Sequence, residues 1–123
     1  MRKIMLCLMF LLGMAIFAEK LTTDGNLNTK NIMGKWVNGT MEIRNDNGKL
    51  VLVTVSSDGT VDKGEMKVYK NGTFVVSNFY QMPSKKDKNL YLAWDTKLRT
   101  LVEIDRDFNI IIKYSRKLTG PAG

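Results

Sequence analysis

The sequence predicts an all-β domain, an antiparallel up-and-down meander of seven to eight strands with its last strand lying against its first. Three observations carry this. From Ile32 onward short apolar runs alternate with turn signals, several runs alternate apolar and polar residues with period two, and no window of a dozen residues holds a helical repeat. A meander of that length must protect its two edges, and joining the ends removes them.

Residues 1–18 precede the domain and read as an export signal. Arg2 and Lys3 make a basic start, residues 4–17 form an apolar run of 14, and Ala18 places a small residue before Glu19. In a helix that run reaches only about 21 Å, short of the roughly 30 Å core of a bilayer. Cleavage after Ala18 is therefore expected, giving an exported protein, periplasmic or extracellular, with no transmembrane span in its mature form. Residues 19–31, EKLTTDGNLNTKN, lack an apolar period and form a polar arm. The domain occupies 32–117, and residues 118–123 are left as an unstructured tail.

Turns fall at Asn45-Asp46-Asn47-Gly48, Ser57-Asp58-Gly59, Asn71-Gly72 and Arg106-Asp107, sequences that accept tight or left-handed backbone. Strands are expected between them, at about 40–45, 49–56, 61–70, 73–82, 89–95, 98–105 and 108–116. Asn38-Gly39 either turns a hairpin, making 32–37 an eighth strand, or marks a bulge in one long bent strand. The predicted inward set is Met41, Ile43, Met66, Val68, Phe74, Val76, Tyr80, Leu92, Trp94, Val102, Ile104, Ile110 and Ile112. Residues 50–55, LVLVTV, are apolar on both faces and need cover from the arm or a partner.

Composition excludes several chemistries. The chain has no histidine, and its single cysteine, Cys7, leaves with the signal. Ordinary zinc sites and histidine-assisted nucleophiles are thereby ruled out. The acidic residues beyond Glu42 lie in turn signals or on polar strand faces, so a carboxylate pair for hydrolysis is not expected. No enzyme activity, metal or cofactor is predicted. Without residues 1–18 the chain keeps 105 residues, with 17 basic against 12 acidic side chains, a net charge of about +5. A domain without disulfides must hold itself by its core.

Arg116 shares the strand parity of Ile110, Ile112 and Tyr114, and a charged side chain in that phase needs a partner inside. Gly34-Lys35-Trp36 at the head of such a meander resembles the G-x-W signature of the lipocalins and the wider calycin group. In that family an arginine from the end of the last strand packs across the tryptophan ring, which assigns Gly34, Trp36 and Arg116 to closure of the barrel. The family's second signature and outer helix have no counterpart here, so the resemblance implies a reduced, lipocalin-like domain of a bacterial exported protein.

Two functions follow as expectations. The resemblance implies binding of a small apolar molecule, with Met66, Phe74, Tyr80 and Trp94 as pocket contacts and methionine adapting to its shape. The alternative is a module that leaves its barrel filled and binds an acidic protein or an anionic envelope surface through Lys85, Lys86 and Lys88 in the segment PSKKDK. Nucleic acid is disfavoured, because no strand face interleaves aromatic with basic residues.

Overall fold

The computed structural model describes residues 19–77, 79 and 89–117. Eight strands follow one another as a pure meander in the order β1 to β8. They are β1 (Gly34–Trp36), β2 (Met41–Asp46), β3 (Lys49–Val55), β4 (Val61–Val68), β5 (Thr73–Val76), β6 (Leu90–Asp95), β7 (Thr100–Ile104) and β8 (Ile110–Lys113). A single helical turn, α1 (Thr29–Ile32), precedes them. No described helix is long and apolar enough to cross a membrane. Of the predicted run 73–82, residues 78 and 80–82 lie outside the described residues, and so does Tyr80 of the expected inward set.

The sheet curls into a half-barrel because β4 changes partners along its length. Residues 61–65 pair with β3, whereas Met66, Lys67 and Val68 pair with β5. Gly64 sits just before that change. A Cβ there would come within 2.6 Å of Val76 Cγ1 and 3.4 Å of Phe79 Cδ1, so the bare backbone lets two core side chains cross it. The β1–β2 connection is a tight 3-10 turn, Val37–Gly39, in which Val37, Asn38 and Gly39 all take positive φ. Val37 at φ 51 is costly for a β-branched residue. Its amide, donating 2.7 Å to Ser115 O, is part of what holds it there.

Two apolar clusters lie on opposite faces of the sheet. The inner one gathers Trp36, Met41, Ile43, Leu52, Met66, Phe74, Val76, Phe79, Leu90, Leu92 and Leu101, capped by Ile32 of α1. The outer one consists of Tyr91, Ala93, Val102 and Ile104, covered by Leu21, Val75, Leu98, Phe108 and Ile110. The arm builds that cover. Leu21 N donates to Phe108 O at 2.9 Å and Ile110 N to Glu19 O at 2.7 Å, while Lys113 pairs with Glu19 at 2.8 Å.

This second layer corrects the expected inward set. Val102 and Ile104 face outward, and it is Leu101 and Glu103 that point inside. The alternation of β7 marks a buried face correctly, but both faces of β7 are buried, and the apolar residues are more numerous on the outer one. Ile110 is also outside. A register shift between Glu103 and Ile104 pairs Ile104 with Ile110 but Glu103 with Ile112, so one extra residue, Ile111, moves Ile112 to the inner face. Val68 has the inner phase but is 63% exposed at the end of its strand. Nor are all later acidic residues solvated, since Asp95 and Glu103 are buried.

The apolar run 50–55 buries Leu52 in the inner core, where Leu27 and Met33 also pack, and its outer face is shielded by its own sheet. Val51, on the outer face, is only 6% exposed and sits between Arg44 and Glu65 in register. Arg44 with Glu42 and Asp46, Lys49 with Glu65, and Lys63 with Asp46 form a charged layer around it. Long charged side chains lay their methylene stems over apolar neighbours in this way.

Candidate ligand cleft

The seam between the two ends of the sheet fixes the site. Among the described residues no strand ladder joins β8 to β1. Instead the chain just past each strand meets the other, Val37 N donating to Ser115 O and Asn38 N to Arg116 O at 2.7 and 3.0 Å. The Arg116 guanidinium carbon stands 3.8 Å from the centre of the Trp36 ring. Its Nη1 donates to Met33 O and Lys35 O, and its Nη2 to Asn31 O, at 2.8, 3.1 and 2.8 Å. Trp36 is 2% exposed and its indole N–H donates 2.8 Å to Ile32 O, which ties α1 to the same clasp. Gly34 has φ 99, and a Cβ on it would approach Arg116 Nη1 to 3.3 Å. The glycine of G-x-W therefore makes room for the arginine as well as supplying the backbone conformation.

Beside this seam lies a cleft of about 230 Å³, lined by Val37, Thr40, Met41, Thr54, Val55, Phe79, Leu90 and Tyr114. Met41, Phe79 and Leu90 are buried core residues and make its floor, whereas Thr40 and Val55 are exposed at its rim. Three of the lining residues carry hydroxyls. Thr40 donates its proton to Val37 O at 2.7 Å, and Tyr114 donates to Glu103 Oε1 at 3.1 Å. The third, Thr54 Oγ1, is buried and makes no hydrogen bond among the described residues.

Glu103 is fully buried on the inner face, between Leu92 and Ile112 in register. Burial and the negative charge of Glu103 raise the Tyr114 phenol far above the usual tyrosine range, so Tyr114 stays a neutral hydroxyl. The main chain around it is also fixed, with Tyr114 N donating to Leu101 O and Thr100 Oγ1 to Tyr114 O.

A second recess, of about 310 Å³, is bordered by Thr29, Lys30, Met33, Asn45, Gly48, Leu50, Met66, Val68 and Phe74. It brings two of the predicted pocket residues together, Met66 and Phe74, but both are almost wholly buried in the core beneath it. Exposed Lys30, Asn45, Gly48 and Val68 make up much of its edge. Trp94 packs half-buried against the inner core and lines neither hollow. Tyr80 and the three lysines, Lys85, Lys86 and Lys88, lie outside the described residues.

The cleft residues Thr54, Glu103 and Tyr114 were not singled out by sequence reasoning. One signal was available, because Tyr114 has the parity of Arg116, which places both beside Trp36. Among the described residues no cluster of three or more acidic side chains is placed to hold a metal ion. Compared with known proteins, the chain matches no family model, no curated protein and no solved structure.

Proposed function

We propose that this is an exported, non-enzymatic domain of lipocalin-like build that holds one small, largely apolar molecule in the cleft beside Tyr114. The observation that carries the reading is the mostly apolar lining of a cleft that lies beside the clasped seam. The lining agrees with the usual composition of small-molecule sites, mostly apolar with a few convergent polar groups. At about 230 Å³ the cleft is smaller than the roughly 300–1,000 Å³ of sites for drug-sized ligands, which favours a short chain or a single ring. The clasp of Trp36, Arg116 and Gly34 supports the lipocalin comparison, and it serves to hold the seam on which the cleft depends.

The surface reading, with an acidic protein or anionic envelope surface as partner, draws less support. The charged residues of the β2–β4 outer face pair acid with base and so do not form a basic patch. Titration of an environment-sensitive apolar dye into the purified protein distinguishes the two readings. Saturable fluorescence displaced by short-chain apolar competitors is the outcome expected of a ligand cleft. A flat response, together with tight adsorption to anionic vesicles, would favour the surface instead.

A further inference from the structure

We infer that the tip of the β4–β5 hairpin docks on an anionic phospholipid surface. Lys67 and Lys70 meet the phosphates, and Val68 and Tyr69 enter the boundary between headgroups and acyl chains. This contact does not use the segment PSKKDK and stands apart from the cleft reading. Residues 67–70, KVYK, are four exposed residues in a row. Val68 and Tyr69 point to opposite faces of the strand, and they remain 63% and 37% exposed. Strand pairing explains why both faces are bare. β3 pairs with β4 only as far as Glu65, and from Met66 onward β5 is the one strand beside it.

The tip is held in a fixed shape. Tyr69 N donates to Thr73 O at 2.9 Å and Thr73 N to Lys70 O at 3.1 Å, and the turn between them carries Asn71 and Gly72 at positive φ. Thr23 Oγ1 of the arm donates to Asn71 O at 3.3 Å, and a Cβ on Gly72 would come within 2.5 Å of Asn26 O. Only glycine lets the arm lie that close. A surface already ordered loses little freedom on binding.

Charge and apolar exposure together select the occupant. Lys67, Lys70 and, across the adjoining recess, Lys30 form no ion pair among the described residues. Lys70 Nζ lies 5.1 Å from the centre of the Tyr69 ring and 5.8 Å from that of Phe108, contacts that leave its charge uncompensated. Asp24, on the arm segment that touches the turn, accepts from Asn26 N and Asn28 Nδ2. A polyanion in water would satisfy the lysines but leave Val68 and the tyrosine ring wet. A bilayer interface takes both, since tyrosine is enriched at headgroup level and apolar burial there adds to electrostatic attraction. Such docking leaves the cleft free. The recess beside the tip borders Asn45 and Leu50, whereas the cleft borders Met41 and Thr54, at the other ends of β2 and β3.

Vesicle flotation tests the contact on the mature protein, residues 19–123, which keeps every described residue and lacks the apolar run 4–17. Binding to vesicles of phosphatidylglycerol mixed with phosphatidylcholine should exceed binding to phosphatidylcholine alone by at least about tenfold and should fall as salt is added. Lys67→Gln and Lys70→Gln should each weaken it about fivefold. Val68→Ser combined with Tyr69→Ser keeps the net charge and should still cost about tenfold. Val68→Ser alone, at a mostly exposed position, should cost about threefold and serves where the double variant does not fold. Equal binding to neutral vesicles, no binding to either kind, or a folded serine variant that binds as tightly as the parent would overturn the inference. Polyaspartate held as tightly as the anionic vesicles would assign the lysines to an acidic protein and overturn it too.

Discussion

The two faces of the β6–β7 hairpin each bury a carboxylate, and the two are held in opposite ways. Asp95, on the outer face and 1% exposed, accepts from three backbone amides: Thr22 at 2.9 Å, Lys97 at 2.9 Å and Leu98 at 2.7 Å. Its charge is spent shaping a turn and pinning the arm. Glu103, on the inner face, accepts from the hydroxyl of Tyr114, a residue that borders the cleft. Burial alone therefore does not mark a functional group. What separates the two is that Asp95 is held by fixed main chain, whereas the partners of Glu103 include a side chain that borders a cleft. The outer face is sealed by residues 19–22 of its own chain, and the inner face keeps an opening.

Mutations sharpen this contrast, beginning with the largest effect. Trp36→Ala removes the ring on which Arg116 rests and leaves a core cavity, so it should destabilise by about 3–5 kcal/mol in denaturant melts. A loss below about 0.5 kcal/mol would mean that Trp36 is not a core residue. Asp95→Ala strands three amides and should cost about 2–3 kcal/mol, with amide exchange at Thr22 accelerating and the cleft unaffected. Arg116→Ala loses the stack and should cost about 0.5–2 kcal/mol. Lysine should restore little of this, because three carbonyls are read by one planar fork. Leu21→Ala trims a half-buried cover and should cost about 1–2 kcal/mol, loosening the arm without changing ligand binding.

The smallest effects are those of pH. Hydrogen bonds from the Thr60 amide and then from Ser56 hold Asp58 down at about 2 against an ordinary 3.8. At Asp105 burial pushes upward, but bonds from Asn109 and the Asp107 amide outweigh it and leave that carboxyl lowered too. Groups depressed in the folded state contribute stability that is complete above their unfolded values and is lost as pH falls through the folded ones. The melting midpoint should thus decline between about pH 4 and 2. Tyr114 runs the other way: raised in the fold, it withdraws stability as pH climbs past the unfolded tyrosine value of about 10. With no histidine in the chain, melts between about pH 5.5 and 8 should be nearly flat.

Much of this architecture was legible because turn chemistry is local. Asn45-Asp46-Asn47-Gly48, Asp58-Gly59 and Asn71-Gly72 all fall where strands reverse, and the eight strands lie close to the expected runs. The parity of Arg116 with Tyr114 placed it on the inner face, since two residues along a strand share a face, and the G-x-W resemblance named Trp36 as its partner. The phase of β7 was not legible, because alternation shows which face is more apolar and not which one turns inward. Here a second buried layer covers the other face, with Leu21 of the polar arm joining Val75, Leu98, Phe108 and Ile110. Glu103 was misplaced by the same effect, as its neighbours Val102 and Ile104 make the opposite face look like the core. The cleft was hidden further, because it is assembled from residues as distant as Val37, Leu90 and Tyr114 and depends on an inserted residue in β8 that leaves no mark in the pattern.

The difference between a sealed outer face and an open inner one is tested most directly by following backbone amide signals while a short apolar probe, hexanol, is added to the isotopically labelled protein. Saturable shifts concentrated at Val37, Thr40, Thr54, Val55, Leu90 and Tyr114, with Leu21, Thr22 and Asp95 unmoved, are the predicted result. Shifts centred on the arm and the outer cluster, or none at saturating probe, would contradict the account.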